Sequence, residues 1–404
     1  MHSTESALLR IFNDIFLSCD SGESVILILL DLTAAFDTVD HEILISRLEQ
    51  CVGITGVALK WFRSYLTNRT FSVRLGNCES SRAPLSHGVP QGSILGPILF
   101  SLYLLPLGSN LRKHGLSFHC YADDCQIYVP LKKKDGSSVN RLQTCLEDVK
   151  SWLALNFLCF NDSKTEVMVF RPASTAVPCV DLQSLKSFCK PEIVNLGFKM
   201  DPELKLESQI GSVVRCSFFH LRQLAKIKHF LARQQFETVI HAFVTVRLDY
   251  CNSLYFGVSR SSVFRLQLVQ NAAARLLTGT RRCEHITPVL YSLHWLPVHF
   301  RIHFKLLLFV FKCLSNAAPL YLSELLHSYI PSRSLGSADQ LLLSVPRTNR
   351  KLRGDRAFAV AAPKLWNELP LYVRQAPSLS VFKSRLKTYL FTLAFSTSGL
   401  VDVS

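Results

Sequence analysis

The sequence of 404 residues has no apolar run long enough to cross a membrane. Its longest apolar stretch, residues 94–107, is shorter than the roughly 20 residues that a bilayer requires and contains Gly96, Pro97 and Pro106. The first ten residues also lack the basic start and apolar centre of a secretory signal. These absences predict an intracellular protein, nuclear or cytoplasmic, that is neither secreted nor bound to a membrane.

Cysteine lacks the regular spacing of a disulfide framework, and its number, 13, is odd. Cys120, Cys159, Cys251 and Cys313 lie among apolar residues. Free cysteines in such surroundings behave as small apolar side chains. We therefore predict that these four lie in the core of a protein from a reducing compartment.

Acidic residues are scarce in the second half of the chain. Residues 1–200 hold 19 Lys and Arg and 19 Asp and Glu, so the net charge of +15 belongs to residues 201–404. A long basic excess is typical of a surface that binds nucleic acid, and a solubilising surface is the alternative. The composition, 48% hydrophobic and 19% charged, is that of a folded protein. This distribution predicts chemistry in the neutral half and polyanion binding in the basic half.

Hydrophobic periodicity predicts a mixed α/β first half and a mostly helical second half, divided near residue 208. The short continuous run at 25–30 predicts a strand buried on both faces, and 118–129 has the pattern of a strand, a tight turn and a strand. A basic tail with aromatic residues follows at 345–395. Helices are predicted at 4–17, 40–51, 56–67, 93–107, 139–158, 209–230, 234–250, 261–278, 299–315 and 319–327.

Three aspartates lie at the ends of predicted strands. Asp31 directly follows the run at 25–30, and Asp123 and Asp124 lie in the predicted turn. Adjacent carboxylates in an apolar hairpin are unfavourable unless a cation neutralises them, although Asp is also common in solvated turns. Nucleic-acid polymerisation uses two Mg²⁺ ions about 4 Å apart, held by carboxylates from separate segments. The three residues therefore predict a metal site for phosphoryl transfer.

The order of five segments resembles the palm of reverse transcriptases, and more narrowly that of non-LTR (LINE-type) retrotransposon enzymes. Motif A is matched by VILILLDLTAAFDTVDH, motif B by SHGVPQGSILGPILFSLYL and motif C by FHCYADDCQIY. Motif D is matched by WLALNFLCFNDSKTEVMVF, and the junction of palm and thumb by VNLGFKMDPELKLESQI. The later segments HWLPVHFRIHFKLLLFVFKCL and DRAFAVAAPKLWNELP also look LINE-like, so the resemblance covers nearly the whole chain.

The resemblance implies an α+β fold with the architecture of a right-hand polymerase. A palm of antiparallel sheet and helices would occupy residues 1–208, a mostly helical thumb 209–330 and a basic C-terminal extension 331–404. Only a short segment, His2–Phe16, precedes motif A, so the fingers and the upstream endonuclease domain are expected to be absent. The implied cofactor is Mg²⁺, as two ions, with Mn²⁺ as the alternative. The implied partners are an RNA template, a DNA primer and dNTPs.

The resemblance also implies roles for single residues. Asp31 and Asp123 would bind both metal ions, and Asp124 would assist at the same site. Phe36 would be the aromatic gate that disfavours a 2′-OH, with an ordinary core Phe as the alternative. Lys164 would donate a proton to the leaving pyrophosphate, with a solvated surface Lys as the alternative.

Contacts with template and nucleotide are predicted around motif B and beside the Asp pair. Pro90, Gln91 and Gly92 would shape a loop that touches both, since a glycine lets the backbone approach a nucleic acid. A plain Pro/Gly turn is the alternative. Tyr121, by the same resemblance, would contact the substrate.

Two other functions share this carboxylate pattern. One is a catalytically inactive, nucleic-acid-binding remnant of a retroelement. The other is an RNA-dependent RNA polymerase or a maturase like those of group II introns. Phe36 favours deoxynucleotides, and the tail resembles LINE proteins more than maturases. We therefore predict the RNA-directed DNA polymerase of a retrotransposon, acting by two-metal nucleotidyl transfer.

Overall fold

The computed structural model of the chain divides it into two compact units. It describes residues 2–90, 92–131, 137–172, 182–331, 340–350 and 353–396. We call residues 23–171 and 175–191 the sheet unit, and residues 1–22, 172–174 and 192–404 the helical unit.

Helices and short strands alternate in the first half of the chain, and helices dominate the second. The α-helices are α1 Thr4–Asp20, α2 His41–Gln50, α3 Gly56–Leu66, α4 Gly96–Lys113, α5 Ser137–Leu155, α6 Glu207–Ile227, α7 Arg233–Ile240, α8 Val246–Asp249, α9 Arg260–Thr278, α10 Thr287–Ser292, α11 Val298–Leu314, α12 Leu320–Ser323, α13 Phe358–Asn367, α14 Leu371–Arg374 and α15 Leu379–Phe395. The β-strands are β1 Ser24–Leu30, β2 Leu32–Thr33, β3 Arg69–Phe71, β4 Arg74–Leu75, β5 Cys78–Glu79, β6 Ala83–Leu85, β7 Ser117–Tyr121, β8 Asp124–Leu131, β9 Cys159–Phe160, β10 Glu166–Phe170, β11 Ile193–Asn195 and β12 Phe198–Met200.

The sheet unit is built on a four-stranded antiparallel sheet of order β10-β1-β8-β7. The central strand β1 is almost fully buried, which explains its continuous apolar run. One core contains Ile26, Ile28 and Leu30 of this strand together with apolar residues of α2, α4 and α5. The mixture of helix and antiparallel sheet agrees with the fold class predicted above.

Helix α4 differs from its prediction at both ends. The sequence predicts a helix over 93–107 with a break near Gly96 and Pro97, but α4 begins at Gly96 and runs to Lys113 through Pro106. Pro97 fits the first turn of α4, because a backbone N–H in that turn has no partner within the helix and proline has no N–H. Pro106 is tolerated because the helix packs a long apolar stripe, buried at Leu99, Phe100, Tyr103, Leu107 and Leu111.

The helical unit includes the first helix of the chain. Buried Glu5 of α1 accepts hydrogen bonds from Ser253 through the backbone N (3.1 Å) and Oγ (2.7 Å). Asp20, at the end of α1, accepts hydrogen bonds from the backbone N of Asn349 (2.8 Å) and Arg350 (2.6 Å). Contacts between residues more than 200 positions apart therefore place α1 with the C-terminal half, and not with the strand that follows it.

The units divide between residues 191 and 192, whereas the sequence suggested a change near 208. The difference arises because the hairpin β11–β12 packs on α6, where Lys199 N donates to Gln209 Oε1 at 3.0 Å. Part of the predicted C-terminal extension also lies in the core of the helical unit, since Phe382 of α15 stacks on Phe311 of α11 at 4.3 Å between ring centroids. None of the helices in the described ranges is both long enough and apolar enough to cross a bilayer.

Candidate active site

The strand β1 delivers Asp31 to one edge of the sheet. β1 pairs with β8 in a register that sets Leu30 opposite Cys125. Asp31 directly follows β1, and Asp124 is the first residue of β8, directly before Cys125. Because antiparallel strands run in opposite directions, these two residues continue the pairing and lie at the same end of the sheet.

The hairpin β7–β8 brings the other aspartates to this edge. Tyr121 pairs with Asp124, and the two residues between them, Ala122 and Asp123, form the turn. Ala122 has a φ of +54°, which is the left-handed conformation that two-residue hairpin turns require. The tight turn therefore places Asp123 beside Asp124 and next to the end of β1.

The environment of Asp124 includes the charges of the other two aspartates. Loss of hydration raises the pKa of the Asp124 carboxyl, and the negative charges of Asp123 and Asp31 raise it further. Within the described ranges, no group of three or more Asp, Glu, His or Cys side chains is arranged to hold a metal ion by itself. Mg²⁺ is commonly held by one or two carboxylates together with phosphate oxygens of the substrate. Among the described residues, the three carboxylates therefore do not complete a cation site by themselves.

The side chain of Lys164 lies at this site. Its Nζ is 3.6 Å from Asp31 Oδ2, and its side chain is 69% exposed. An exposed ion pair of this length contributes little to stability. The lysine is thus solvated, as one alternative predicted, but its ammonium also lies beside a candidate metal ligand.

Phe36 packs against helix α4. Its ring centroid is 4.7 Å from that of Phe100, and the residue is half-buried. Its carbonyl accepts a hydrogen bond of 2.8 Å from the backbone N of Val89, which precedes Pro90. The loop of motif B is therefore attached to the segment that follows Asp31.

The remaining predicted contact residues lie on this loop and on β7. Pro90 is half-buried, and Gly92 has a φ of +79° with open space where a Cβ would be. Gln91 lies outside the described residues, so the structure places only its two neighbours. Tyr121 is the last residue of β7, opposite Asp124.

Residues 3–200 match the family model of "Reverse transcriptase (RNA-dependent DNA polymerase)". The chain is 25% identical over 300 residues to "Probable RNA-directed DNA polymerase from transposon BS" of Drosophila melanogaster, an alignment that covers 69% of this chain and 31% of that protein. It is 26% identical over 295 residues to "Probable RNA-directed DNA polymerase from transposon X-element" of the same species, an alignment that covers 70% of this chain and 31% of that protein. It is 24% identical over 288 residues to "RNA-directed DNA polymerase from mobile element jockey" of Drosophila funebris, covering 69% and 31%.

Residues 3–200 of the chain belong to the reverse transcriptase family, and these relatives support its non-LTR (LINE-type) branch. The family prediction is therefore confirmed. The chain spans about a third of the length of these curated relatives. Among solved structures, telomerase from Candida albicans in complex with a fragment of telomeric RNA has a TM-score of 0.38 at 12% identity, covering 75% of this chain and 52% of that one. That likeness is too distant to indicate more.

One residue of the reverse transcriptase domain was not identified from the sequence. Asn161 follows β9, and its Nδ2 donates a 3.0 Å hydrogen bond to Asp31 Oδ2. The pairing of β2 with β9, in which Leu32 lies opposite Phe160, brings the two side chains together. The available signal was its position, since Asn161 follows an apolar segment directly, as Asp31 does.

Proposed function

We propose that this chain catalyses RNA-templated DNA synthesis from dNTPs, as the RNA-directed DNA polymerase of a retrotransposon. The observation that carries the proposal is the meeting of Asp31, from the end of β1, with Asp123 and Asp124, from the hairpin β7–β8, at one edge of the sheet. Carboxylates from separate rigid segments are what two-metal phosphoryl transfer needs. The partners of the reaction are an RNA template and a DNA primer.

Asp31 and Asp123 are the proposed ligands of two Mg²⁺ ions, with Asp124 assisting and Mn²⁺ as the alternative metal. Their oxygen atoms suit a hard divalent cation. The raised pKa of Asp124 is consistent with carboxylates that repel one another, which a bound cation relieves. The ions, when bound, stabilise negative charge on the attacking 3′ oxygen and on the leaving pyrophosphate.

Lys164 is the proposed proton donor to the pyrophosphate leaving group. Its ammonium is held close to the site by Asp31, at 3.6 Å. Its largely exposed side chain is free to turn from that carboxylate toward a substrate oxygen. Proton donation at this oxygen neutralises charge that develops as the bond to the α-phosphate breaks.

Phe36 is the proposed gate against a 2′-OH. Its contact with Phe100 restricts the ring, and a ring that cannot move aside excludes an extra hydroxyl by steric overlap. Pro90, Gln91, Gly92 and Tyr121 are proposed to contact the template and the incoming nucleotide. The role of Gln91 rests on the family resemblance alone.

The sheet unit corresponds to the proposed palm, and the helical unit to the proposed thumb with its C-terminal extension. The helical unit contains 28 Lys and Arg but only 15 Asp and Glu, against 17 and 15 in the sheet unit. A net positive charge of this size attracts the phosphates of a template–primer duplex.

The direct test is dNTP incorporation by the purified full chain on a primed RNA template with Mg²⁺. We expect incorporation by the wild type and a loss of about a thousandfold or more in Asp123→Asn, because a metal ligand is removed. Asp148→Asn, an exposed carboxylate on α5, is the matched control and should resemble the wild type. Replacing dNTPs by rNTPs should reduce incorporation strongly.

An equal background in the wild type and in Asp123→Asn, with duplex binding retained by both, would contradict the proposal. That result would instead identify the chain as a nucleic-acid-binding remnant. A preference for rNTPs would point to RNA synthesis.

A further inference from the structure

We infer that the side chain of Asn161 is a positioning residue that fixes the carboxylate of Asp31 for metal binding, an inference that rests on the proposed polymerase function. Two hydrogen bonds join these residues across the ends of β2 and β9. Asn161 Nδ2 donates to Asp31 Oδ2 at 3.0 Å, and the backbone N of Asn161 donates to the carbonyl O of Asp31 at 3.0 Å. The backbone hydrogen bond holds the two main chains together without help from the side chains. The side-chain amide of Asn161 therefore acts only on the carboxylate of Asp31.

Two contacts of the Asp31 side chain fall on the same oxygen, Oδ2. Asn161 Nδ2 and Lys164 Nζ lie 3.0 Å and 3.6 Å from Oδ2. The lysine is a largely exposed cation on a long side chain, whereas the amide is a neutral donor on a short side chain. A hydrogen bond of this kind fixes the rotation of a carboxylate that binds a metal, and loss of such outer partners typically weakens metal affinity or activity about 10–100-fold.

The amide of Asn161 is itself oriented. Ser163 Oγ donates a 2.7 Å hydrogen bond to Asn161 Oδ1. An ionised carboxylate only accepts hydrogen bonds, so the Nδ2 side of the amide faces Asp31. The hydroxyl of Ser163 can donate to Oδ1, which suits the same orientation.

The backbone of Asn161 also organises the turn that carries Lys164. Its carbonyl O accepts hydrogen bonds from Lys164 N at 3.2 Å, from Thr165 N at 3.0 Å and from Thr165 Oγ1 at 2.9 Å. These bonds do not use the side chain. A substitution of the side chain therefore leaves the turn intact and tests the contact with Asp31 separately.

Asn161→Leu removes the donor at nearly constant side-chain size and is the main test. Steady-state dNTP incorporation by the full chain is measured across Mg²⁺ concentrations. We expect kcat to fall about 10–100-fold and the Mg²⁺ concentration for half-maximal activity to rise several-fold, with the KM for dNTP almost unchanged. Ser163→Ala frees the amide of Asn161 to rotate. It should lower kcat and raise the Mg²⁺ concentration for half-maximal activity, both by less than Asn161→Leu does.

Asp162→Asn is the matched control, because Asp162 belongs to the same turn but pairs with Lys150 at 3.0 Å. It should leave the Mg²⁺ dependence unchanged. A merely structural role for Asn161 would lower the thermal midpoint, or lower kcat equally at every Mg²⁺ concentration. Either pattern, without a shift in Mg²⁺ dependence, overturns the inference.

Direct titration with Mn²⁺ separates this inference from the proposed function. The free ion is followed by electron paramagnetic resonance in the presence of the full chain, a dNTP and a duplex whose primer lacks the 3′-OH, so that the site is complete but no reaction follows. We expect Asp31→Asn to abolish binding at the site and Asn161→Leu to weaken it about tenfold or more. If the wild type binds Mn²⁺ but incorporates no dNTP, the proposed function fails and the inference is still decided by Asn161→Leu. Wild-type affinity in that variant, or no Mn²⁺ binding by the wild type, overturns the inference.

Discussion

At the scale of single residues, two histidines in the helical unit carry unusual protonation properties. His299 and His303 lie one turn apart on α11, with ring centroids 4.2 Å apart. Loss of hydration lowers the pKa of both, and the charge of Arg260 lowers that of His299 further. For His303, burial and the neighbouring His299 lower the pKa to about 3. Both imidazoles are therefore neutral in the folded chain near neutral pH.

This pair predicts a loss of stability on mild acidification. Below the unfolded pKa of about 6.5, the unfolded chain binds protons that folded His303 does not, so stability falls as the pH decreases from about 6.5 toward 3. The expected loss between pH 7.5 and 5.5 is about 1 kcal/mol from His303. It should appear as a lower thermal midpoint of the full chain at pH 5.5, measured by circular dichroism.

His303→Gln tests the assignment, since it removes the titrating group. The difference in midpoint between the two pH values should become smaller in this variant. His285→Gln, at an exposed position, should keep the wild-type difference. The same pH dependence in His303→Gln as in the wild type would show that other groups cause it.

At the scale of elements, the loop between β6 and α4 is fixed by a close approach of backbones. Gly88 N donates to Val39 O at 2.8 Å, and Val89 N donates to Phe36 O at 2.8 Å. Gly88 has a φ of +88°, and a Cβ there would lie 3.0 Å from the carbonyl O of Asp37. Glycine is required here for its conformation and for the space, and the contact carries Pro90 toward the proposed nucleotide site.

Gly88→Ala is therefore expected to destabilise the sheet unit and displace this loop. The left-handed backbone costs about 1–2 kcal/mol with a side chain, and overlap with fixed backbone atoms adds about 1–3 kcal/mol. Gly76→Ala is the matched control, because Gly76 also has a positive φ, +58°, but nothing within 4 Å of its Cβ. Thermal midpoints should fall more for Gly88→Ala, and the KM for dNTP should rise only in that variant. Equal thermal midpoints in Gly88→Ala and Gly76→Ala would contradict a role for the close backbone contact at Gly88.

At the scale of the whole molecule, charge and chemistry are divided between the units. The helical unit carries a net charge of +13, and the sheet unit, which holds the carboxylates, carries +2. Binding to a phosphate backbone releases condensed counterions, so its strength depends on salt. The division predicts that the proposed duplex binding and the proposed catalysis can be changed separately.

We expect the affinity of the full chain for a primed RNA duplex to fall steeply with salt. If six or more phosphates are neutralised, the dissociation constant should rise about a thousandfold between 50 and 200 mM salt. Asp123→Asn should show nearly the same slope, because it changes the proposed catalytic site and not the basic surface. Fluorescence anisotropy with a labelled duplex measures both. An affinity that does not depend on salt would contradict electrostatic binding by the helical unit.

Several features were predictable because they depend on neighbours in the sequence. The run at 25–30 forms β1, and the pattern at 118–129 forms the hairpin β7–β8 with its turn at Ala122 and Asp123. Asp40 directly precedes α2 and caps it, since its Oδ1 accepts a 2.9 Å hydrogen bond from Ile43 N. The periodicity of a strand, the composition of a turn and the cap of a helix depend on neighbouring residues, so they can be predicted without knowledge of the fold.

Burial was less predictable, because it depends on the position of a strand in its sheet. Cys251 and Cys313 are buried as expected, but Cys120 and Cys159 are exposed although their sequence neighbours are apolar. Cys120 lies on β7, at the edge of the sheet, and Cys159 lies on the two-residue strand β9. The core prediction was therefore wrong for these two residues.

The sequence by itself determined the family and the segments that present Asp31, Asp123 and Asp124. Tertiary structure decided which distant groups meet them. Asn161 reaches Asp31 across 130 positions through two-residue strands that carry no periodicity of their own. In the same way, buried polar contacts such as that of Glu5 with Ser253 assign α1 to the helical unit. Such pairings depend on how the whole chain packs, and packing is a property of many weak contacts between remote residues.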